Sequence, residues 1–216
     1  MDPPINRTGG TRTMRHPGVA FFDFDGTLIE GDSLPAFVGE VIGRHRAHLA
    51  LADAIRSGVH RHLRGRGRGI DLRGTIKAVF IRRTLQGVAL ADALAAAERL
   101  ARRVRWHAPM VEAMLEHRRA GRRVVVATGA LDLYMPALLR GKGVDDLLAT
   151  GLEVRDGHLT GRLCTGNCVR QDKAHRVRAW LAANGPFGES WGYGNHPCDL
   201  PMLALLDRGT VVRIRR

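Results

Sequence analysis

The chain has 216 residues, with 34 Lys plus Arg against 21 Asp plus Glu, for a formal net charge of +13. Hydrophobic residues make up 44% of it, enough for a buried core, which excludes disorder of the whole chain. No run approaches the roughly 20 apolar residues of a membrane span, and the first eighteen residues hold no apolar stretch of the secretory kind. A soluble, cytoplasmic protein is the expectation. Cys164, Cys168 and Cys198 cannot all pair and match no paired zinc spacing, which fits a reducing compartment. Only Lys77, Lys142 and Lys173 are lysines, so 31 of the 34 cations are arginines. In a chain also rich in Ala and Gly, that skew reads as compositional bias before it reads as a face selected for a polyanion.

Residues 1–17 read as a flexible leader. Val19-Ala20-Phe21-Phe22 is a short apolar run bounded by Gly18 and Asp23, as in a buried strand of a parallel sheet. From Ser33 to Arg105 apolar residues recur at helical spacing (Leu34, Phe37, Val38, Val41; Ile76, Val79, Phe80; Leu90, Leu94) and no strand interrupts them. That stretch is far longer than a crossover between parallel strands needs. Residues 33–105 are therefore expected to form an inserted helical subdomain, with 18–32 and 106–216 forming an α/β core.

Alternation of helix and strand then resumes. A helix is expected from Pro109 to Ala120, a strand over Val124–Ala127, a helix over Leu133–Arg140 and a strand over Leu147–Ala149. Asp156-Gly157 is a hairpin turn signal within Leu152–Leu163. A helix over Asp172–Ala183, a strand over Ser190–Tyr193, a helix from Asp199 and a strand over Val211–Ile214 complete the chain. The fold class is α/β: a doubly wound, Rossmann-like parallel sheet with a helical insertion after its first strand.

In such sheets ligands bind outside the carboxyl ends of the strands. Polar groups stand at those ends here: Asp23-Phe24-Asp25-Gly26-Thr27, Thr128-Gly129, and Gly194-Asn195-His196-Pro197-Cys198-Asp199, with Lys173 near a helix start. Two close carboxylates repel, and a hard cation such as Mg²⁺ relieves that repulsion while taking phosphate oxygens. One carboxylate can then attack phosphorus, and the other can protonate the leaving oxygen and later deprotonate a water. A Thr hydroxyl and a Lys ammonium suit the remaining phosphoryl oxygens.

Asp23 to Leu28 (D-F-D-G-T-L) resembles the first motif of the haloacid dehalogenase superfamily. Val124–Gly129 resembles the second, Lys173 within N-C-V-R-Q-D-K the third, and Gly194–Leu203 the fourth, in the right order from about Gly18 to Leu206. The resemblance implies a nucleophile at Asp23 and a general acid and base at Asp25. It implies phosphoryl binding by Thr128, Gly129 and Lys173, and a Mg²⁺ site from Asp23, the Asp25 carbonyl, Asn195 and Asp199. An acid at the second position of the first motif is typical of the phosphatases. The long insertion is similar to the C1-type cap of the subgroup that includes phosphoserine phosphatase, subfamily IB, where a substrate-binding Glu stands nine residues after the nucleophile. Asp32 occupies that place here, a shorter acid suited to an amine or hydroxyl on the substrate. Further departures are Thr128 where Ser is usual, Cys198 where Asn is usual, and Asn195 where most members have a carboxylate. An amide oxygen can ligate Mg²⁺ with one negative charge fewer.

Between Arg44 and Arg83 eleven Lys or Arg face only Asp53 and Asp71, so most of the excess charge belongs to the insertion. His45, His48, His60 and His62 lie there without Cys or carboxylate partners and read as a solvated basic face. Arg64–Gly69 (R-G-R-G-R-G) is similar to RNA-binding arginine-glycine segments, but no aromatic residues are interleaved for base stacking, and a loop between helices accounts for it better. The expected partner is a small phosphorylated metabolite, with neither membrane nor nucleic acid. Two other readings stand beside it: a nucleic-acid or anionic-surface binder with a vestigial site, suggested by the charge, the Arg-Gly segment and Asn195, and a phosphotransferase to an alcohol, which uses the same residues as the phosphatase.

Overall fold

Every side chain of the first strand, β1 (Val19–Phe22), is buried, because the strand lies at the centre of a five-stranded sheet. The computed structural model describes residues 18–63 and 72–214. The expected leader and the Arg64–Gly69 segment lie outside the described residues. The other sheet strands are β2 (Arg123–Leu131), β3 (Asp146–Thr150), β6 (Ser190–Gly194) and β7 (Arg208–Val211), in the order β3-β2-β1-β6-β7. All pairings are parallel, with Phe22 opposite Val126 on one side and Tyr193 on the other. β4 (Leu152–Arg155) and β5 (His158–Leu163) form a separate antiparallel hairpin, turned at Asp156 (φ 50°) and Gly157 (φ 72°). Left-handed conformations at both turn residues are what a D-G hairpin requires.

Alternate residues of the central strands feed two apolar clusters, one on each face of the sheet. Ala20, Phe22, Val124 and Val126 join Phe37, Val38, Ala96 and Ala97 of the insertion and Met114. Val19, Phe21, Val125 and Ala127 join Val177, Trp180, Met202 and Leu203. Two covered faces explain why these strands read as unbroken apolar runs. The covering helices are α1 (Ser33–Ile42), α2 (Arg44–Leu63), α3 (Leu72–Leu85), α4 (Leu90–Ala101), α5 (Ala108–Arg119), α6 (Met135–Leu139), α7 (Arg170–Asn184) and α8 (Leu200–Leu203). The expected helical stretch 33–105 thus divides into α1 to α4, with breaks that include Gly43 and Gly87, both at positive φ.

Two strands differ from expectation. β7 lies three residues before the expected Val211–Ile214, because Trp191 of β6 pairs with Arg208. An edge strand is held by its backbone ladder, and the exposed Arg208-Gly209-Thr210 has no apolar pattern to announce it. β2 runs on past Ala127 to Leu131, but its register against β3 slips there: Ala127 faces Leu148 and Leu131 faces Thr150. Thr128, Gly129 and Ala130 occupy that irregularity, which turns their polar groups out of the ladder.

Phe21 is fully buried and meets Trp180 edge to face at 5.4 Å. Phe21→Ala is expected to lower the unfolding free energy by about 3–5 kcal/mol in urea titrations.

Candidate active site

Parallel pairing places the carboxyl ends of β1, β2 and β6 at one edge, and the chain turns directly after each. Asp23 follows β1, its N–H bonded to the Tyr193 carbonyl at 2.8 Å, so its side chain leaves the sheet at a fixed height. Asp25 lies in the turn that Gly26 makes possible: Gly26 has φ +70°, and a Cβ there would stand 3.0 Å from Asn195 Nδ2. The Ser33 N–H, at the start of α1, donates to Asp25 Oδ1 at 2.8 Å. Lys173, in the first turn of α7, reaches back under the sheet edge and is buried.

Lys173 Nζ donates to Asp23 Oδ1 at 2.7 Å and to Asp199 Oδ1 at 2.5 Å, with all three side chains nearly inaccessible. The second Asp23 oxygen accepts from Thr27 Oγ1 at 3.2 Å and has the Asn195 amide nitrogen at 3.4 Å. Asp199 Oδ2 accepts the Asn195 backbone N–H at 2.8 Å. Thr128 is buried, and its Oγ1 accepts from the Ala130 N–H at 3.0 Å. Asp23, Asp25, Asp32, Gly129, Lys173, Asn195 and Asp199 all line one cavity of about 1120 Å³. Its far wall comes from the insertion: Leu51 and Ile55 of α2, Arg73, Ile76, Lys77 and Phe80 of α3.

Burial raises the Asp23 carboxyl to about 6 despite the Lys173 ammonium. Asp25 rises further, to about 8, through burial first and then the charges of Asp32 and Asp23. The two carboxyls are thereby pushed apart, the pattern that separates a nucleophile from a proton donor. Lys173 is driven upward: burial disfavours its charge, but Asp23 and Asp199 more than reverse this.

Asp32 caps α1, accepting the Leu34 N–H at 3.0 Å on Oδ1, and burial raises its pKa as well. Asn195 turns its nitrogen toward the other groups: Nδ2 donates to the Asp25 carbonyl at 2.7 Å. To offer a cation its oxygen, the amide must rotate. Among the described residues no group of three or more His, Cys, Asp or Glu side chains could hold a metal ion. What converges is two carboxylates, one backbone carbonyl and one amide, an all-oxygen set that fits a hard divalent cation once the amide has turned.

Four participants had no role assigned from the sequence: Thr27 and Asn167 lie inside the first and third motifs, Lys77 and Thr150 outside all four. Thr27 bonds the nucleophile candidate. Lys77, Thr150 and Asn167 form a polar cluster behind Gly129. Lys77 carried a usable signal, since it is one of three lysines in an arginine-dominated chain, as is Lys173.

The raised Asp25 carboxyl sets a pH dependence. In the unfolded chain Asp ionises near 4, whereas in the fold Asp25 keeps its proton until about 8, so the fold binds the extra proton and loses stability as pH rises between. In the fold Asp23, near 6, and His117, near 4, titrate mostly below pH 6.5, while Lys77, lowered to about 8 by burial, begins to lose its proton at the top of that window and opposes Asp25 there. With EDTA present, stability is expected to fall by up to about 2 kcal/mol from pH 6.5 to 8. In Asp25→Asn that fall should disappear in denaturant titrations across the same range.

The model of the haloacid dehalogenase-like hydrolase family matches residues 20–204. Protein CicA of Caulobacter vibrioides is 31% identical over 205 residues, 91% of this chain and 87% of that protein. A phosphoserine phosphatase of Streptococcus thermophilus is 27% identical over 188 residues, 86% of this chain and 79% of that protein. A crystal structure of a protein of unknown function from Bordetella pertussis Tohama I superposes with a TM-score of 0.74 at 26% identity, covering 90% of this chain and 89% of that one.

Proposed function

The chain belongs to the haloacid dehalogenase-like hydrolases, and on that premise we propose that it is a Mg²⁺-dependent phosphatase that hydrolyses a small phosphomonoester through an aspartyl phosphate on Asp23. The observation that carries this reading is the pair of unequal carboxyls. Asp23 has one oxygen held by Lys173, and Asp25, two residues on, retains its proton toward pH 8 at the same cavity. The named relative in Streptococcus thermophilus is itself a phosphatase.

In the first step an Asp23 oxygen attacks phosphorus, the ester P–O bond breaks, and the leaving oxygen takes the Asp25 proton. In the second, the Asp25 carboxylate removes a proton from water as that water attacks phosphorus. The acyl phosphate bond breaks, inorganic phosphate leaves and Asp23 is restored. Lys173 holds Asp23 in position and offsets charge on both sides of the reaction, and the Thr128 hydroxyl donates to a phosphoryl oxygen. Asp23, the Asp25 carbonyl, Asn195 and Asp199 would hold Mg²⁺, whose chemistry is to neutralise charge on the phosphoryl oxygens. The walls from α2 and α3 narrow access to the cavity. On this reading Asp32, with one oxygen committed to the helix cap, offers the other to an amine or hydroxyl of a phosphorylated metabolite.

Purified protein is expected to release phosphate from p-nitrophenyl phosphate with Mg²⁺, and EDTA or Asp23→Asn to abolish turnover. Activity retained in Asp23→Asn would sink the mechanism. Asn195→Asp should lower the Mg²⁺ concentration for half-maximal rate, since it restores a charge to the metal set.

A further inference from the structure

Lys77 projects from α3 of the insertion into the α/β core, where its Nζ meets three acceptors. It donates to the Gly129 carbonyl, to Asn167 Oδ1 at 2.5 Å and to Thr150 Oγ1 at 3.3 Å. An ammonium has three protons, so none remains for a bound phosphate. Although Lys77 lines the cavity, its charge is spent on backbone and side chains behind the phosphate-binding turn. Thr150 supports the same point: its hydroxyl donates to the Gly129 carbonyl at 2.9 Å while accepting the Cys168 N–H at 3.1 Å.

The Gly129–Ala130 peptide is planar, so fixing its carbonyl also fixes the Ala130 N–H pointing the opposite way. That N–H donates to Thr128 Oγ1 at 3.0 Å. A hydroxyl that accepts from the backbone keeps its own proton for another acceptor. The bonds therefore form one chain from α3 of the insertion, through the Gly129 carbonyl and the Ala130 N–H, to the hydroxyl of Thr128, which is buried directly before the cavity-lining Gly129 and Ala130. The register slip in β2 removes these residues from the ladder, so their peptide is not oriented by strand pairing. Gly129 itself has no space for a side chain, since a Cβ would stand 2.8 Å from Val169 Cγ1.

We propose that Lys77 is a positioning residue that orients the Thr128 hydroxyl for phosphate and thereby makes phosphate binding depend on the insertion being seated on the core. This rests on the phosphatase reading of the site, and the role is distinct from those of Asp23, Asp25 and Lys173.

The test is a double-mutant cycle of Lys77→Met and Thr128→Ala, with p-nitrophenyl phosphate turnover as one readout and inorganic phosphate binding by calorimetry as the other. Lys77→Met alone should lower kcat/KM and phosphate affinity by about tenfold or more, the scale of a hydrogen bond to a charged group. In the Thr128→Ala background the same change should cost less than about threefold, because the group it acts through is gone. Equal losses in both backgrounds, or no loss in either, would overturn the inference while leaving the phosphatase reading intact. A wild-type protein without turnover would overturn that reading and the inference with it. Thermal melts identify a variant that fails to fold, and Lys77→Gln then carries the same cycle. Calorimetry serves where Thr128 variants turn over too slowly to assay.

Discussion

A single buried ammonium between two buried carboxylates sets the terms for the rest of this molecule. Lys173 comes from the first turn of α7, Asp23 from the end of β1 and Asp199 from the loop after β6. Removing three charges from water carries a large desolvation cost, recovered only while all three are held at hydrogen-bond distance. The parallel sheet makes that possible, because it brings the ends of β1 and β6 to one edge with a register set by apolar residues on both faces. Burial is the main reason that Asp23 and Asp25 are raised, and neighbouring carboxylates, Asp199 for the first and Asp32 and Asp23 for the second, add to it. Such an edge favours a bound cation and a retained proton, the two things that the proposed phosphoryl transfer draws on.

Much of this arrangement was legible in the amino-acid sequence because local chemistry and global fold agree there. Val19–Phe22 has no polar position, so it had to be covered on both faces, and Asp23 and Asp25 at its end had to lie at a strand edge. Asp156-Gly157 announced its hairpin through the only backbone conformations that turn tolerates. The edge strand β7 was misplaced because its pairing is a property of the β6 backbone and leaves no mark on exposed side chains. The extension of β2 was missed for a related reason, since a register slip is decided between strands. Lys77 lies 52 residues from Gly129, and no spacing rule links a helix of the insertion to the carbonyl it meets.

The net charge acquires a different meaning once the elements are placed. Most of the excess lies in the insertion, and its pairs of Asp53 with Arg56 and Arg83 are solvent-accessible and contribute little to stability. What the basic residues do contribute is a field. Arg73 lines the same cavity as Asp23, Asp25 and Asp199, so an anion approaching the acidic edge meets a cation from the insertion. Attraction of that kind raises encounter rates and weakens with ionic strength.

The insertion is joined to the core by contacts of two kinds. At α1 and α4 it shares one apolar cluster with the sheet, including Phe37 packed at 4.6 Å on Tyr134. α3 enters the same cluster through Phe80, Ile81 and Leu85, and at the cavity wall it adds polar contacts, Lys77 with Gly129 and Asn167 and Arg73 with Cys198. A hydrogen bond to a charged group changes net stability by about 1.5–3 kcal/mol, whereas separating packed apolar faces costs about 25 cal/mol for every Å² exposed. Packing therefore seats the insertion, and the polar contacts aim what lies at its edge. Ser33, at the start of α1, orients the Asp25 carboxyl in this way, and Lys77 of α3 orients the Gly129 peptide. Both groups are thus aimed by hydrogen bonds from the insertion, on a scaffold whose seating is decided by its apolar cluster.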